Sequence, residues 1–148
     1  MRSKRLFQER GLPTLAIVFD ENDDVIPLLL KFAEEKHVSG ARLGGIGAFQ
    51  RLRIGYFDRT SRKYQAINID EQVELLALVG NFARKDGTST LHAHVIVGKR
   101  DGSAHGGHLL EAHVWPTLEL TVIELPRTSN APSMNPLGWP CSTCLRNG

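Results

Sequence analysis

The sequence has little cysteine: two in 148 residues, Cys141 and Cys144, both within the last eight positions. A disulfide framework for the core is therefore excluded. It also lacks a long apolar run. No stretch approaches the roughly 18 residues of a membrane span, so no membrane partnership is expected. The basic start, Met1-Arg2-Ser3-Lys4-Arg5, is not followed by an apolar stretch. A secretory signal needs about 7–15 apolar residues there, so the cytoplasm is the expected compartment. Charge of one sign is scarce too. There are 18 Lys+Arg against 16 Asp+Glu, a formal +2. A strong nonspecific nucleic-acid binder needs a much larger positive excess. The small excess is also misplaced for that role. Residues 1–10 carry +3 and residues 127–148 carry +2, whereas residues 11–126 carry −3.

What is present is a folding composition. Hydrophobic residues make up 41% of the chain, which excludes a wholly disordered polymer. A chain of 148 residues suits one domain, able to bury roughly 68–70% of its unfolded surface. The expected division is a basic N-terminal segment over 1–11, a domain over 12–126 and an irregular or disordered tail over 127–148. Pro132, Pro136 and Pro140 interrupt that tail, although Trp139 could anchor it.

Within the domain, Thr14–Phe19 reads as a buried strand. Asp20–Asp24 then offers helix-capping residues and acids for the positive end of a helix dipole. Val25, Leu29 and Phe32, with Ile26, Leu30 and Ala33, recur at helical spacing. Pro27 is tolerable in a first turn, and Gly40 follows soon after the basic end at Lys36 and His37. One amphipathic helix over about 24–37 is expected. Strand-like runs follow near 41–58, 63–70, 73–83, 88–98, 108–114 and 117–125. Their separators are short, which favours antiparallel hairpins over parallel crossovers. The expected class is α+β: a mainly antiparallel sheet with one principal helix. Gly44-Gly45-Ile46-Gly47 lacks the spacing of a dinucleotide fingerprint and reads as a bulged strand in close backbone contact.

Four of the six histidines fall between 92 and 108. His92 and His94 are two apart in a strand, so both imidazoles point to one face. Zinc binds imidazole nitrogen, and an open site commonly uses three protein ligands plus water. The turn at Asp101-Gly102 and the return through Gly106-Gly107 make His108 the expected third ligand. The expected cofactor is a divalent metal, with zinc favoured. The competing reading keeps His92 and His94 as ordinary half-buried strand residues. Glu111 and Glu119 are supporting partners of the site, a fourth ligand, or solvent-facing positions. His105 is assigned to a loop, and His37 and His113 to the surface. A cupin pattern fails because Gly98 stands where its glutamate belongs. A zinc deaminase pattern fails because no His is followed two residues later by Glu, despite Pro140-Cys141-Ser142-Thr143-Cys144.

A second cluster is basic and aromatic. Arg51, Arg53, Arg59, Arg62 and Lys63 interleave with Tyr56, Phe57 and Tyr64, and Arg51, Arg53, Arg62 and Lys63 are the expected contacts. Arginine pairs with phosphate and aromatic rings stack on bases, so this hairpin could contact DNA. A plain solvated hairpin uses the same residues.

Three segments in order, Glu74–Phe82, Leu91-His92-Ala93-His94-Val95 and Gly106-Gly107-His108-Leu109, resemble the plant-and-prokaryote-conserved (PPC) domain. The likeness spans roughly 12–126 and leaves out the tail. It implies a largely antiparallel domain that assembles as a homotrimer. It further implies a DNA-binding or transcription-regulatory role, since stand-alone prokaryotic members are often described as DNA-binding proteins; plant members carry the domain beside an AT-hook, a contact that does not transfer to this chain. This chain has no Arg-Gly-Arg-Pro core of such a hook. Its three histidines resemble those of prokaryotic members that look like metal proteins. A metal-dependent hydrolase or lyase acting on a small molecule is the alternative.

Overall fold

The computed structural model describes residues 1–9 and 11–126. The tail expectations, including Trp139, Cys141 and Cys144, lie outside the described residues. Seven strands and one helix run in the order β1 (Arg2–Glu9), β2 (Leu12–Phe19), α1 (Val25–Glu35), β3 (Gly40–Asp58), β4 (Lys63–Ile69), β5 (Val73–Lys85), β6 (Thr88–Gly98) and β7 (Ala104–Glu124). The strand order is β1-β2-β7-β6-β5-β3-β4, with a further pairing of β7 to β3. All pairings are antiparallel. The α+β class read from the sequence is the observed one. Because β3 bonds to both β5 and β7, strands β3, β5, β6 and β7 close into a ring.

The alternation in β6 shows how sequence sets the faces. Leu91, Ala93, Val95 and Val97 are buried, whereas His92, His94 and Ile96 point outward. The helix adds Val25, Ile26, Leu29, Phe32 and Ala33 to the same core and packs on β6 and β7. It is shorter than its apolar pattern suggested. His37 takes the left-handed position (φ 54°) after the last turn. The Val38 N–H donates to the Ala33 carbonyl (2.9 Å) and the His37 N–H to the Glu34 carbonyl (3.1 Å). That pair of bonds is a Schellman stop, so the chain leaves the helix before Gly40 is reached. Asp24 is the N-cap residue but makes no side-chain cap bond.

Two elements differ from the sequence reading. Residues 108–114 and 117–125, expected as separate strands, belong to one long β7 that starts at Ala104. The break at Pro116 survives as a gap in the ladder: Val114 pairs with Phe49 and Leu118 with Gly47, and no pair falls between them. Proline has no N–H to donate, so the ladder pauses without the strand ending. The basic N-terminal segment forms β1, an edge strand exposed along its whole length. With no buried face it has no apolar alternation to read. Lys4 and Arg5 are charges of the kind that keep an edge from pairing with other chains. Among the described residues, no helix is long and apolar enough to cross a membrane.

The glycine run behaves as expected for a bulge. The β3–β5 register shifts between Gly45 and Gly47. A Cβ at Gly45 would collide with the Glu119 carbonyl and the Leu120 side chain. Backbone cannot retreat there without opening the β3–β7 seam. Gly45→Ala is therefore expected to lower the denaturant midpoint by the equivalent of about 1–3 kcal/mol. Gly40→Ala, whose Cβ would meet only the Phe82 carbonyl at 3.9 Å, should fall within about 0.5–1 kcal/mol of wild type. Equal losses in the two variants would contradict the close-approach account.

Candidate metal centre

His92 and His94 stand on the outer face of β6, and His94 pairs directly with His108 on β7. The hairpin between them is fixed by a compact turn. The Asp101 carboxylate accepts from the Ser103 N–H (2.9 Å) and hydroxyl (2.6 Å), with Gly102 in the left-handed region (φ 82°). The ladder begins at once, so His105 lies within β7 opposite Val97, not in a loop. It is an odd number of residues from His108 and faces the other side of the pleat.

The three imidazoles converge. One ring nitrogen from each lies within 4.8 Å of the others, the one such cluster among the described residues. The His92 and His94 Nε2 atoms are 3.2 Å apart. Ring centroids are separated by 5.1 Å (His92–His94), 5.1 Å (His92–His108) and 5.4 Å (His94–His108). Two nitrogens bound tetrahedrally to one zinc at about 2.0–2.1 Å would be roughly 3.3 Å apart. The observed spacing suits a shared cation. It also suits a hydrogen bond in which one imidazole donates and the other accepts, and either arrangement requires an uncharged ring.

Burial divides the trio. His92 and His94 are exposed, but His108 is only 3% exposed. Tyr64 from β4 stacks on it, with ring centroids 4.7 Å apart and planes at 28°. Gly55 makes that stacking possible. It pairs with His108, and a Cβ there would come within 2.7 Å of the Tyr64 ring. The His108 Nδ1 is buried without a hydrogen-bond partner. Such an orphan costs about 1–3 kcal/mol. Burial, followed by the charges of His92 and His94, pushes the His108 pKa down to about 4. Burial and then His92 lower that of His94. Both rings are thus neutral near pH 7, the state in which imidazole ligates metal.

The other sequence candidates sit elsewhere. Glu111 is not beside the trio; it accepts from His113 (3.0 Å) and pairs with Arg53 (3.4 Å). The His113 hydrogen bond, then the charge of Arg53, holds its carboxyl below the usual range. His113, expected at the surface, is half-buried and forms a bridge to Asp24 ahead of α1. Glu119 is exposed opposite Ile46. Arg51 and Arg53 lie on β3 opposite His113 and Glu111. Arg62 and Lys63 lie at the β3–β4 turn, where Arg62 has φ 54° and Asp58 accepts from the Ser61 N–H and hydroxyl. The fold thus divides the four basic residues between mid-strand positions, where Arg53 meets Glu111, and a hairpin tip. Beside His92 and His94 runs an open groove of about 610 Å³ that also reaches Arg42 and Asn81. Arg42 lies outside every motif read from the sequence, and Asn81 lies in the Glu74–Phe82 segment without a site role of its own in the sequence; strand register brings them there.

The Plants and Prokaryotes Conserved (PCC) domain matches residues 7–126. The chain belongs to that family. Solved structures share its fold at appreciable identity. A plant- and prokaryote-conserved (PPC) protein from Pyrococcus horikoshii is 31% identical, with a TM-score of 0.75 over 78% of this chain and 80% of that one. A metal-containing protein from Archaeoglobus fulgidus is 35% identical, with a TM-score of 0.71 over 76% and 79%. A Bacteroides thetaiotaomicron protein named as a candidate DNA-binding protein is 27% identical, with a TM-score of 0.73 over 82% and 83%. No curated protein gives a significant sequence match.

The low pKa of His108 has a thermodynamic consequence for the metal-free protein. Its folded value of about 4 lies below the ordinary 6.5. The unfolded chain therefore binds the proton first, and stability present above pH 6.5 is lost as pH falls toward 4. The loss from this ring should be on the order of 3 kcal/mol. Urea midpoints measured from pH 7 to pH 4 without metal should drop steeply in wild type and less in His108→Gln. Parallel slopes would show that His108 is not the neutral, buried group described.

Proposed function

We propose that this PCC-domain protein holds a divalent metal, zinc by its donor chemistry, on His92, His94 and His108. The observation that carries the reading is the convergence of three imidazole nitrogens, one of them on the buried His108. The metal-containing relative supports it. Three protein ligands leave a coordination position for water or a ligand. When bound, such a metal supplies Lewis acidity. The chain's own part is to hold two imidazoles two residues apart on β6, to fix the third beneath Tyr64, and to keep His94 and His108 deprotonated. Assembly as a homotrimer belongs to the same reading. It rests on the family resemblance and on exposed apolar side chains such as Ile46, Leu76 and Ile96.

Purified protein should carry about one zinc per chain, on a species of three times the chain mass. Metal analysis of fractions sized by light scattering checks both statements. His92→Ala/His94→Ala should lose most of the metal while remaining folded. Equal, sub-stoichiometric metal in wild type and variant would end this reading.

The groove beside the trio favours metal-dependent hydrolysis or lysis as a second reading. Among the described residues no carboxylate lines that groove to act as a base, which makes ligand binding the better-supported role.

A regulatory role through DNA contact at Arg51, Arg53, Arg62 and Lys63 is supported by the relative named for DNA binding. It is weakened by the Arg53–Glu111 pair and by the net −3 of residues 11–126. Any duplex binding should be sequence-tolerant and steeply salt-dependent. Arg62→Ala/Lys63→Ala should weaken it more than Arg53→Ala, because Arg53 is engaged. Fluorescence anisotropy at low salt provides the measurement, and no binding there removes the DNA role.

A further inference from the structure

The groove next to His92 and His94 is defined by two adjacent cross-strand rows. In one, Ile123 of β7, Arg42 of β3, Asn81 of β5 and His92 of β6 stand side by side. In the next, Thr121, Gly44, Val79, His94 and His108 do the same. Neighbouring strands are about 4.8 Å apart, so the Arg42 and His92 backbones are separated by roughly 10 Å. Gly44 contributes no side chain, which leaves a floor between Thr121 and Val79. The resulting space of about 610 Å³ is within the range of small-molecule sites, roughly 300–1,000 Å³.

The charge of this groove is one-sided. Among the described residues, Arg42 is the one charged residue lining it, and no aspartate or glutamate does. No carboxylate among the described residues pairs with the Arg42 guanidinium. Three other arginines are engaged by carboxylates, Arg2 by Asp20, Arg53 by Glu111 and Arg84 by Glu34, whereas Arg42 faces the groove. Glu124, next to Ile123 on β7, lies on the opposite face of the pleat, and the next acid of β7 on the groove's own face, Glu119, sits one row beyond Thr121, opposite Ile46. Asn81, between Arg42 and His92, can donate an amide N–H. Val79 and Ile123 supply apolar walls. A guanidinium beside an amide recognises a carboxylate, and apolar walls suit a short carbon chain.

We propose that this groove binds a short aliphatic acid, its carboxylate held by Arg42 and Asn81 and its far end directed to the His92–His94–His108 centre. The second contact rests on the metal reading above; the first does not. A dicarboxylate of a few carbons has the right form, with one end on the guanidinium and the other oxygen at the open metal position.

The test is a titration of isotope-labelled full-length protein with glutarate, followed by amide resonances, with and without zinc. Wild type, Arg42→Ala and Arg42→Lys are compared, and butyrate and inorganic phosphate serve as comparators. Arg42 is exposed, so both variants should fold, and their zinc content should equal that of wild type. Glutarate should shift the Gly44 and Gly80 resonances. Zinc should tighten binding about tenfold for glutarate but not for butyrate, and Arg42→Ala should weaken it about tenfold, with Arg42→Lys between. Equal affinity in wild type and Arg42→Ala, or no binding, overturns the proposal. Phosphate binding as tightly as glutarate overturns the carboxylate assignment. Arg42-dependent glutarate binding in a protein that takes up no zinc overturns the metal reading and leaves the carboxylate subsite standing.

Discussion

The pairing of β3 with β7 closes the sheet on itself, and the position of every site residue follows from it. The seam runs from Ala41↔Glu124 to Gly55↔His108. It demands close backbone approach, which glycine permits at Gly45 against Glu119 and at Gly107 against Gly55. Without it, β7 would be held only by β2 and a short stretch of β6, and His108 would lie on an open edge. With it, His108 is covered by β4 through Tyr64 while still facing His94.

That burial sets the chemistry of the trio. One imidazole is sealed away from water and its charged form is disfavoured; the other two keep access to solvent. A cluster of three protonated rings at these spacings would repel itself. A neutral cluster offers nitrogen lone pairs converging on one point. The same geometry that makes protonation costly is the geometry a divalent cation would relieve. No carboxylate among the described residues lines the adjoining groove, so a cation at the trio and the guanidinium of Arg42 would act together on an anion.

Elsewhere the fold neutralises charge. Arg53 meets Glu111, Lys99 meets Glu71 at 2.5 Å, and Arg84 meets Glu34. These pairs are largely exposed and add little stability individually. Their effect is on the surface potential. They remove basic groups from the body that a count of Lys and Arg would offer to phosphates. The hairpin tip at Arg62 and Lys63 and the edge strand β1 keep basic side chains in solvent.

Several features were legible along the chain because they depend on period and local chemistry. The i, i+2 spacing placed His92 and His94 on one face, and the Asp101-Gly102 turn returned His108 toward them. The apolar spacing marked α1, and the glycine run marked a bulge. Strand β1 was not legible, because an edge strand with no buried face has no alternation. The unity of β7 was hidden by Pro116, which interrupts a ladder without ending a strand. Tyr64 over His108, Glu111 with Arg53, and Arg42 in a row with Asn81 and His92 were beyond any local reading. Each joins residues at least 11 positions apart through strand register, and register is settled by which faces the closed sheet buries. The sequence by itself determined the class of fold, the antiparallel hairpins and the histidine pair. Only the tertiary structure decided which third ring is buried, what covers it, and which charge stands free beside it, because those depend on long-range pairing and not on local pattern.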